Sequence, residues 1–187
     1  MEAFLFSSTD FFILSIRISI SICVNPKNKN HYFSKRKTKK VIKRTDSSNT
    51  DFQNLVKLLD ADLAIRNGED HAFYDQFNKI DAIKNCIVIY IDESPAACGA
   101  FKKFADDTVE IKRMYTHPDF RKRGLASAIV KELEDWAKET GYKKAVLESS
   151  LQQNEALSIY EKSGYQRIPN YGQYIGIDKS VCYEKML

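Results

Sequence analysis

The sequence lacks the residue patterns that define several large functional classes. Its 187 residues include only four cysteines, which show neither the spacing of a metal site nor the density of a disulfide-rich domain. Two common phosphate-binding patterns, Gly-x-x-x-x-Gly-Lys-Ser/Thr and Gly-x-Gly-x-x-Gly, are missing, and no internal repeat is visible. We therefore expect no metal cofactor, and the scattered cysteines favour a reducing compartment such as the cytoplasm.

A strongly basic domain is missing as well. The net charge of +4 arises from residues 1–40, which hold eight basic and two acidic side chains, whereas residues 41–187 hold 21 basic and 23 acidic ones. Domains that bind nucleic acids usually carry a basic face. We therefore expect no nucleic-acid binding by residues 41–187. Binding to a nucleic acid or a membrane surface is an alternative for the basic N-terminal segment alone.

A long apolar run without charges is the third missing feature. The first 24 residues are apolar and rich in serine, but Glu2, Asp10 and Arg17 interrupt them. A secretory signal has a positive start and a continuous apolar core, and a membrane-spanning helix has ~20 nearly charge-free residues. We expect residues 1–40 to be an extension that is disordered, a targeting segment, a membrane anchor or a misassigned start. Residues 41–187 then form one domain.

The hydrophobic periodicity of that domain predicts an α/β architecture. Apolar or alternating runs predict strands over 41–44, 86–91, 96–104, 108–116, 143–150, 165–169 and 180–186. Apolar residues at helical spacing predict helices over 51–66, 70–84, 127–140 and 155–163. The early strands form an antiparallel meander, and the later ones follow a β-α-β crossover, so we expect a mixed sheet with helices on both faces.

A glycine-containing turn joins the strand at 108–116 to the helix at 127–140. It consists of Arg121, Lys122, Arg123, Gly124, Leu125 and Ala126. The start of a helix directs free backbone N–H groups and the positive end of the helix dipole at one point. This turn is therefore a candidate phosphate-binding site, although a plain helix start in a surface loop has the same pattern.

A second motif lies one strand further along the chain. It consists of Asn154, Ala156, Tyr160, Gly164 and Tyr165. We predict that Asn154 caps a short helix and that Gly164 follows its last turn. The elements follow in the order strand, phosphate-binding turn, helix, strand and short helix ending in Gly-Tyr. This order resembles that of the GNAT superfamily of N-acetyltransferases. The resemblance extends over residues 41–187 and is sharpest over 110–165.

The resemblance implies an acyl-CoA N-acyltransferase fold with acetyl-CoA as co-substrate. In that fold the strands at 108–116 and 143–150 diverge, and the pantetheine arm pairs with the first of them. The backbones of Met114 and Thr116, which flank Tyr115, would be its partners. The N–H of Met114 would lie near the thioester oxygen, where a donor stabilises the developing oxyanion.

The same resemblance assigns the remaining cofactor contacts. The pyrophosphate would lie on the turn at 121–126, where Gly124 allows the backbone to approach it. The basic side chains at 121–123 would attract the 3′-phosphate of CoA, or would form an ordinary solvated cluster. Asn154 and Ala156 would contact the cofactor from the short helix.

Two residues are candidates for acid–base catalysis. An amine is mostly protonated at neutral pH, so a base must take its proton. Glu110 lies eleven residues before Arg121, as the base glutamate does in the histone-acetylating branch of the superfamily, or it is a solvent-facing residue paired with Lys112. In relatives, a tyrosine at the position of Tyr160 protonates the leaving thiolate. The alternative for Tyr160 is a buried side chain whose hydroxyl merely finds a hydrogen bond.

The sequence therefore predicts transfer of an acetyl group from acetyl-CoA to a primary amine by direct attack on the thioester. The acceptor is not identified, and a small molecule is preferred to a protein amine. A non-catalytic acyl-CoA sensor of the same fold is the alternative. Tyr171 and Tyr174, in the loop at 170–178, either stack on the acceptor or pack over the sheet. Dimerisation is common in the superfamily, and no feature of the sequence decides it.

Overall fold

The computed structural model describes residues 38–70, Tyr74, Gln76, Ile80 and 83–187. Within these residues, one seven-stranded sheet has the order β1-β2-β3-β4-β5-β7-β6. The strands are β1 (Lys40–Thr45), β2 (Asn85–Ile91), β3 (Ser94–Ala105), β4 (Thr108–Thr116), β5 (Lys144–Ser150), β6 (Gln166–Ile168) and β7 (Ser180–Met186). The helices are α1 (Thr50–Asn67), α2 (Leu125–Glu139) and α3 (Asn154–Lys162), with single 3₁₀ turns at Gly68–Asp70, Pro118–Phe120 and Gly172–Tyr174.

The mixed sheet that the sequence predicts is confirmed. Strands β1 to β4 pair antiparallel in sequence order, and β5 adds to β4 in parallel after the crossover through α2. Strand β7 then inserts antiparallel between β5 and β6. Most of the predicted helix at 70–84 and of the N-terminal segment at 1–40 lies outside the described residues.

Helices cover both faces of the sheet because the central strands bury both of their faces. On β2, Ile87 and Ile89 pack with α2 and α3, whereas Cys86 and Val88 pack with α1. This alternation with period two divides the core into two layers. Each helix buries one apolar stripe, so the sheet becomes the middle layer of three.

Helix α1 extends one residue further at each end than the predicted range of 51–66. The side chain of Asn49 caps it by accepting a hydrogen bond from the N–H of Phe52 at 2.9 Å. Gly68, with φ of +52°, follows the last turn and donates its N–H to the carbonyl of Ala64. Helix α3 differs from the prediction that Asn154 is its cap. Gln153 occupies the cap position without a side-chain hydrogen bond, and Asn154 is the first helical residue, because the turn from Ser150 to Gln153 enters the helix one residue earlier.

Strands β4 and β5 stay paired over only three residues. Their parallel register begins at Thr108 opposite Lys144 and ends at Glu110 opposite Val146. Beyond that point β4 continues to pair with β3, and β5 continues to pair with β7. The divergence implied by the resemblance is therefore present, and it opens a gap in the middle of the sheet.

A bulge distorts β4 beside this gap. The β3–β4 register changes between Cys98 opposite Tyr115 and Ala100 opposite Lys112, so Arg113 and Met114 lie opposite the single residue Gly99. Arg113 takes a φ of +59°, which is rare for a residue with a side chain. A Cβ atom on Gly99 would lie only 2.6 Å from the side-chain sulfur of Met114, so the Met114 side chain would have to move to admit any other residue there.

Candidate functional site

Two cavities meet at the gap between β4 and β5. The larger, of about 610 Å³, extends from the end of β4 along the turn that begins α2 to one side of α3. The smaller, of about 100 Å³, lies between α1, β4, β5 and the loop before β7. Both are lined by Met114 of β4 and Tyr160 of α3, and the wall that they share is completed by Leu59, Leu63 and Gln153. These five residues therefore form the junction of the two cavities.

The turn before α2 forms one end of the larger cavity. Gly124 has a φ of +71° and occupies the cap position of the helix without a side-chain hydrogen bond. The first intrahelical bond of the helix runs from the N–H of Ala128 to the carbonyl of Gly124. The N–H groups of the intervening residues therefore lack intrahelical partners, and Leu125, Ala126 and Ser127 all line the cavity. This end of the cavity suits an anionic group.

The basic side chains of this turn differ in their positions. Arg121 lines the larger cavity and donates from Nε to the carbonyl of Thr116 at 3.1 Å. Lys122 also lines it, with a φ of +61°. Arg123 instead donates to the carbonyl of Asp119 at 3.2 Å and lies over the ring of Phe120, outside the lining.

Nine of the eleven predicted cofactor residues line the larger cavity. They are Met114, Tyr115, Thr116, Arg121, Lys122, Gly124, Leu125, Ala126 and Ala156. Arg123 and Asn154 do not line it. On α3 the lining is supplied by Glu155, Ile159 and the predicted residues Ala156 and Tyr160, because residues at this spacing share one face of a helix.

Tyr160 presents an unpaired hydroxyl to the junction. The side chain is 6% exposed and packs against the rings of Tyr165 and Tyr183. Within the described part of the chain, no hydrogen bond fixes its hydroxyl. Burial, together with the nearby charge of Glu148, raises the pKa of Tyr160 well above its ordinary value. The phenol is therefore protonated at neutral pH and is available as a hydrogen-bond donor.

Glu110 is buried rather than solvent-facing, with 3% of the residue exposed. Its Oε2 lies 3.2 Å from the ammonium of Lys102 and 3.4 Å from that of Lys112. Its Oε1 accepts a hydrogen bond from the hydroxyl of Tyr171 at 3.3 Å. The carboxylate lines the smaller cavity, but two cations and a phenol already surround it.

Glu148 is a second carboxylate in the smaller cavity, and the sequence analysis missed it. It lies on β5, two residues beyond the last parallel pair with β4. Its Oε1 accepts a hydrogen bond from the hydroxyl of Ser180 at 2.7 Å. Burial raises the pKa of Glu148 to about 7, against the opposing effects of the Ser180 hydrogen bond and the charge of Lys112. The sequence feature that could have identified Glu148 is its position on a predicted strand, directly after the apolar residues Ala145, Val146 and Leu147.

Aromatic side chains lie at one wall of the smaller cavity. Tyr174 is buried and lines it, while Tyr171 packs between Tyr174 and Phe104. Asn170 holds this loop in place by donating from Nδ2 to the carbonyls of Ile177 and Ser180. Tyr171 therefore packs against other aromatic rings, whereas Tyr174 forms part of the cavity wall.

Neither a metal site nor a membrane span is found in the part of the chain that the structure describes. In residues 38–70 and 83–187 and the three single residues, no group of three His, Cys, Asp or Glu side chains is placed to hold a metal ion. None of the helices in these same residues has the length and apolar character needed to cross a bilayer.

Comparison with known proteins gives a consistent result. The family model described as "Acetyltransferase (GNAT) family" matches residues 52–165. The uncharacterized N-acetyltransferase YjgM of Escherichia coli (strain K12) is 34% identical over 62 residues, which are 33% of this chain and 37% of that protein. The curated relatives that match are covered over 23% to 62% of their own length.

Solved structures share the fold at low sequence identity. The Bacillus subtilis acetyltransferase in complex with CoA superimposes with a TM-score of 0.57 and 17% identity, covering 80% of this chain and 99% of that one. A GNAT family acetyltransferase from Elizabethkingia anophelis with acetyl-CoA bound gives a TM-score of 0.58 and 16% identity, covering 79% and 98%.

Proposed function

This chain belongs to the GNAT family of acetyltransferases, and on that premise we propose that it transfers the acetyl group of acetyl-CoA to a primary amine. The larger cavity binds acetyl-CoA and the smaller cavity binds the amine. The nitrogen attacks the thioester carbon directly, without an acetylated enzyme intermediate. The observation that carries this proposal is the meeting of the two cavities at Met114 and Tyr160.

The fit of acetyl-CoA to the larger cavity supports the proposal. The pyrophosphate suits the N–H groups at the start of α2. The pantetheine arm suits the side of Met114–Thr116 that faces the gap, because β5 leaves β4 after Glu110. The acetyl group then reaches the junction, and two fold relatives have CoA or acetyl-CoA bound.

The reaction requires stabilisation of one developing charge and transfer of protons. Attack of the nitrogen forms a C–N bond and places negative charge on the thioester oxygen, where the N–H of Met114 is the proposed donor. Collapse of this intermediate breaks the C–S bond. The thiolate takes a proton from Tyr160, and the phenolate regains one from the nitrogen. An ammonium acceptor thus yields an amide, a thiol and one released proton.

The predicted base on the amine side is Glu110. Its position in the smaller cavity supports this role, whereas the carboxylate is already engaged in ion pairs with Lys102 and Lys112. The role of Glu110 stays a prediction.

A small amine is the preferred acceptor. The volume of the smaller cavity, about 100 Å³, suits a short alkylamine. We also expect the protein to act in a reducing compartment such as the cytoplasm, since the thiols of Cys86, Cys98 and Cys182 are free and buried.

Calorimetric titration of acetyl-CoA into the full chain tests the cofactor, with CoA and ATP as comparison ligands. We expect micromolar binding of acetyl-CoA that is weakened in Gly124→Val, because a β-branched residue does not tolerate a φ of +71°. Gly141→Val is the matched control, since Gly141 also has a positive φ but lies outside both cavities. No binding by the folded parent would refute the proposal.

Release of free thiol in the presence of a panel of primary amines tests turnover. Release that depends on one class of amine supports the acetyltransferase. Tight acetyl-CoA binding without turnover of any amine would instead support a non-catalytic acyl-CoA sensor.

A further inference from the structure

The ammonium group of Lys112 is buried in the lining of the smaller cavity and forms no hydrogen bond within the described residues. The side chain of Lys112 is 10% exposed. Its Nζ lies 3.4 Å from Oε2 of Glu110, but this ion pair lacks the geometry of a hydrogen bond. A buried charged group is unfavourable unless hydrogen bonds and an opposite charge replace the lost water. Lys112 therefore has N–H donors that a ligand of this cavity can use.

The cations around Glu110 outnumber its single negative charge. Oε2 of Glu110 also contacts the ammonium group of Lys102 at 3.2 Å, so two cations share one carboxylate oxygen. The side chain of Lys102 is 47% exposed and is solvated by water, whereas that of Lys112 is enclosed. Glu148 lines the same cavity, but burial raises its pKa to about 7, so it is only partly ionised at neutral pH. The buried excess of positive charge therefore falls on Lys112.

The charges around Lys112 favour a ligand with one negative charge. Burial lowers the pKa of Lys112 against the opposing charge of Glu110, and the like charges of Lys102 and Arg113 act in the same direction as burial. A bound anion would favour the ammonium form and would accept its hydrogen bonds. A dianion such as a phosphate monoester would be repelled by Glu110 and Glu148, whereas a carboxylate brings a single charge. The surroundings of Lys112 therefore suit a carboxylate.

We propose that the acceptor carries a carboxylate in addition to its amine, and that the ammonium group of Lys112 binds this carboxylate. This inference rests on the proposed acetyltransferase function and names the class of its acceptor, a short amino acid. The amine lies at the junction of the two cavities, beside Met114 and Tyr160, and the carboxylate lies on Lys112.

The spacing of Lys112 and Met114 on β4 supports one short molecule as the ligand. Both residues line the smaller cavity, and Met114 also lines the larger one. Residues two positions apart on a strand are separated by roughly 7 Å along the backbone. A carboxylate on Lys112 and an amine at the junction can therefore belong to one molecule, in which about one to three methylene groups separate them. The cavity volume of about 100 Å³ suits a molecule of this size.

Turnover of amino acids and of their amides tests the inference in the full chain. Glycine, β-alanine and γ-aminobutyrate are each compared with the corresponding amide, which keeps the amine but lacks the negative charge. We expect kcat/KM of the parent to favour at least one amino acid over its amide. In Lys112→Met, whose side chain is uncharged and similar in length, this preference should fall by about 30-fold or more, with the affinity for acetyl-CoA unchanged.

The matched control is Lys144→Met, which removes an ammonium group outside both cavities and should keep the preference of the parent. Because the preference is a ratio, the intrinsic difference between an amino acid and its amide cancels when two proteins are compared.

Three outcomes of this experiment would count against the inference. Turnover of the amides without a preference for any amino acid would overturn it and leave the proposed function intact. An equal decrease for amino acid and amide in Lys112→Met would also overturn it, because Lys112 would then serve only to balance the charge of Glu110. Absence of turnover with every amine would contradict the proposed function, and the inference with it.

A binding measurement on the complex with CoA does not depend on turnover. Saturation-transfer NMR should detect propionate, which has the carboxylate but no amine, on the parent and on Lys144→Met. It should detect neither propionamide on the parent nor propionate on Lys112→Met. Absence of propionate binding to the parent, or equal binding to Lys112→Met, would overturn the inference.

Discussion

The guanidinium of Arg113 lies 2.6 Å from the carboxylate of Asp60 and joins the bulge of β4 to helix α1. The side chain of Arg113 is 2% exposed, whereas that of Asp60 is 39% exposed. The ion pair therefore fixes the backbone directly before Met114 to the helix that forms one wall of both cavities.

Loss of this pair should destabilise the protein. In Asp60→Ala the guanidinium stays buried and loses the carboxylate contact, so we expect the free energy of unfolding to fall by about 2–3 kcal/mol. Urea denaturation measures the change. Asp62→Ala, which removes the half-exposed pair with Arg66 on the same helix, should lower the free energy of unfolding by at most about 0.5 kcal/mol. Equal effects of the two variants would contradict the structural role of the Arg113 pair.

The stability of the protein should decrease as pH rises through neutrality because of Glu148. Its pKa is raised from 4.5 to about 7 in the folded state, so the folded chain binds this proton more tightly than the unfolded chain between these values. Between pH 5 and pH 8, the free energy of unfolding of the parent should fall by about 2–3 kcal/mol more than that of Glu148→Gln. Urea denaturation at both pH values measures this difference. An equal change in the free energy of unfolding of the two proteins would show that the carboxyl of Glu148 is not desolvated.

Substitution of Gly99 should disturb both packing and activity. In Gly99→Ala the new methyl group would lie 2.5 Å from Cγ2 of Ile129 and 2.6 Å from the sulfur of Met114. We expect overpacking to lower the free energy of unfolding by about 1–3 kcal/mol. We also expect weaker acetyl-CoA binding, because Met114 shifts. In Gly176→Ala no atom lies within 4 Å of the new methyl group, so acetyl-CoA binding should be unchanged. If Gly99→Ala binds acetyl-CoA as tightly as the parent, the bulge of β4 has no role in acetyl-CoA binding.

Removal of the Tyr160 hydroxyl should affect turnover but not folding. We expect Tyr160→Phe to lower kcat about 100-fold with little change in acetyl-CoA affinity or melting temperature, since the hydroxyl has no partner in the described residues. Tyr183→Phe is the matched control. It removes a hydroxyl that donates to Glu161 at 3.0 Å outside both cavities, so it should leave kcat unchanged. Full turnover by Tyr160→Phe would refute its role as the acid.

Much of the fold could be predicted because the local signals agree with the tertiary structure. Strands β4 and β7 begin and end at the predicted residues, since turn residues flank apolar alternation on both sides. The ends of α1 follow from Asn49 and Gly68 in the same way. The predicted cap of α3 was wrong by one residue. The tight turn at Ser150–Gln153 places Gln153 at the cap position, despite the capping preference of Asn154.

The site was harder to predict because it depends on contacts between distant parts of the chain. No glycine in β4 marks the bulge at Arg113 in the sequence, because the glycine that lies opposite the bulge, Gly99, belongs to β3. The pairing of Glu110 with Lys102 depends on the register of β3 and β4. Glu148 resembles any polar residue in a strand, and only the tertiary structure places it in the lining of the smaller cavity.

A sheet normally exposes two edges, and in this protein they belong to β1 and β6. The divergence of β4 and β5 leaves an unpaired edge on each of these strands inside the sheet, and the inner edge of β4 runs along Met114–Thr116. An exposed outer edge is a template for the strands of other molecules and so promotes aggregation. The inner edge is walled by residues of α1 and α3, and Arg121 covers the Thr116 carbonyl at its end. The walls of the cavity thus keep this unpaired backbone out of reach of a second sheet.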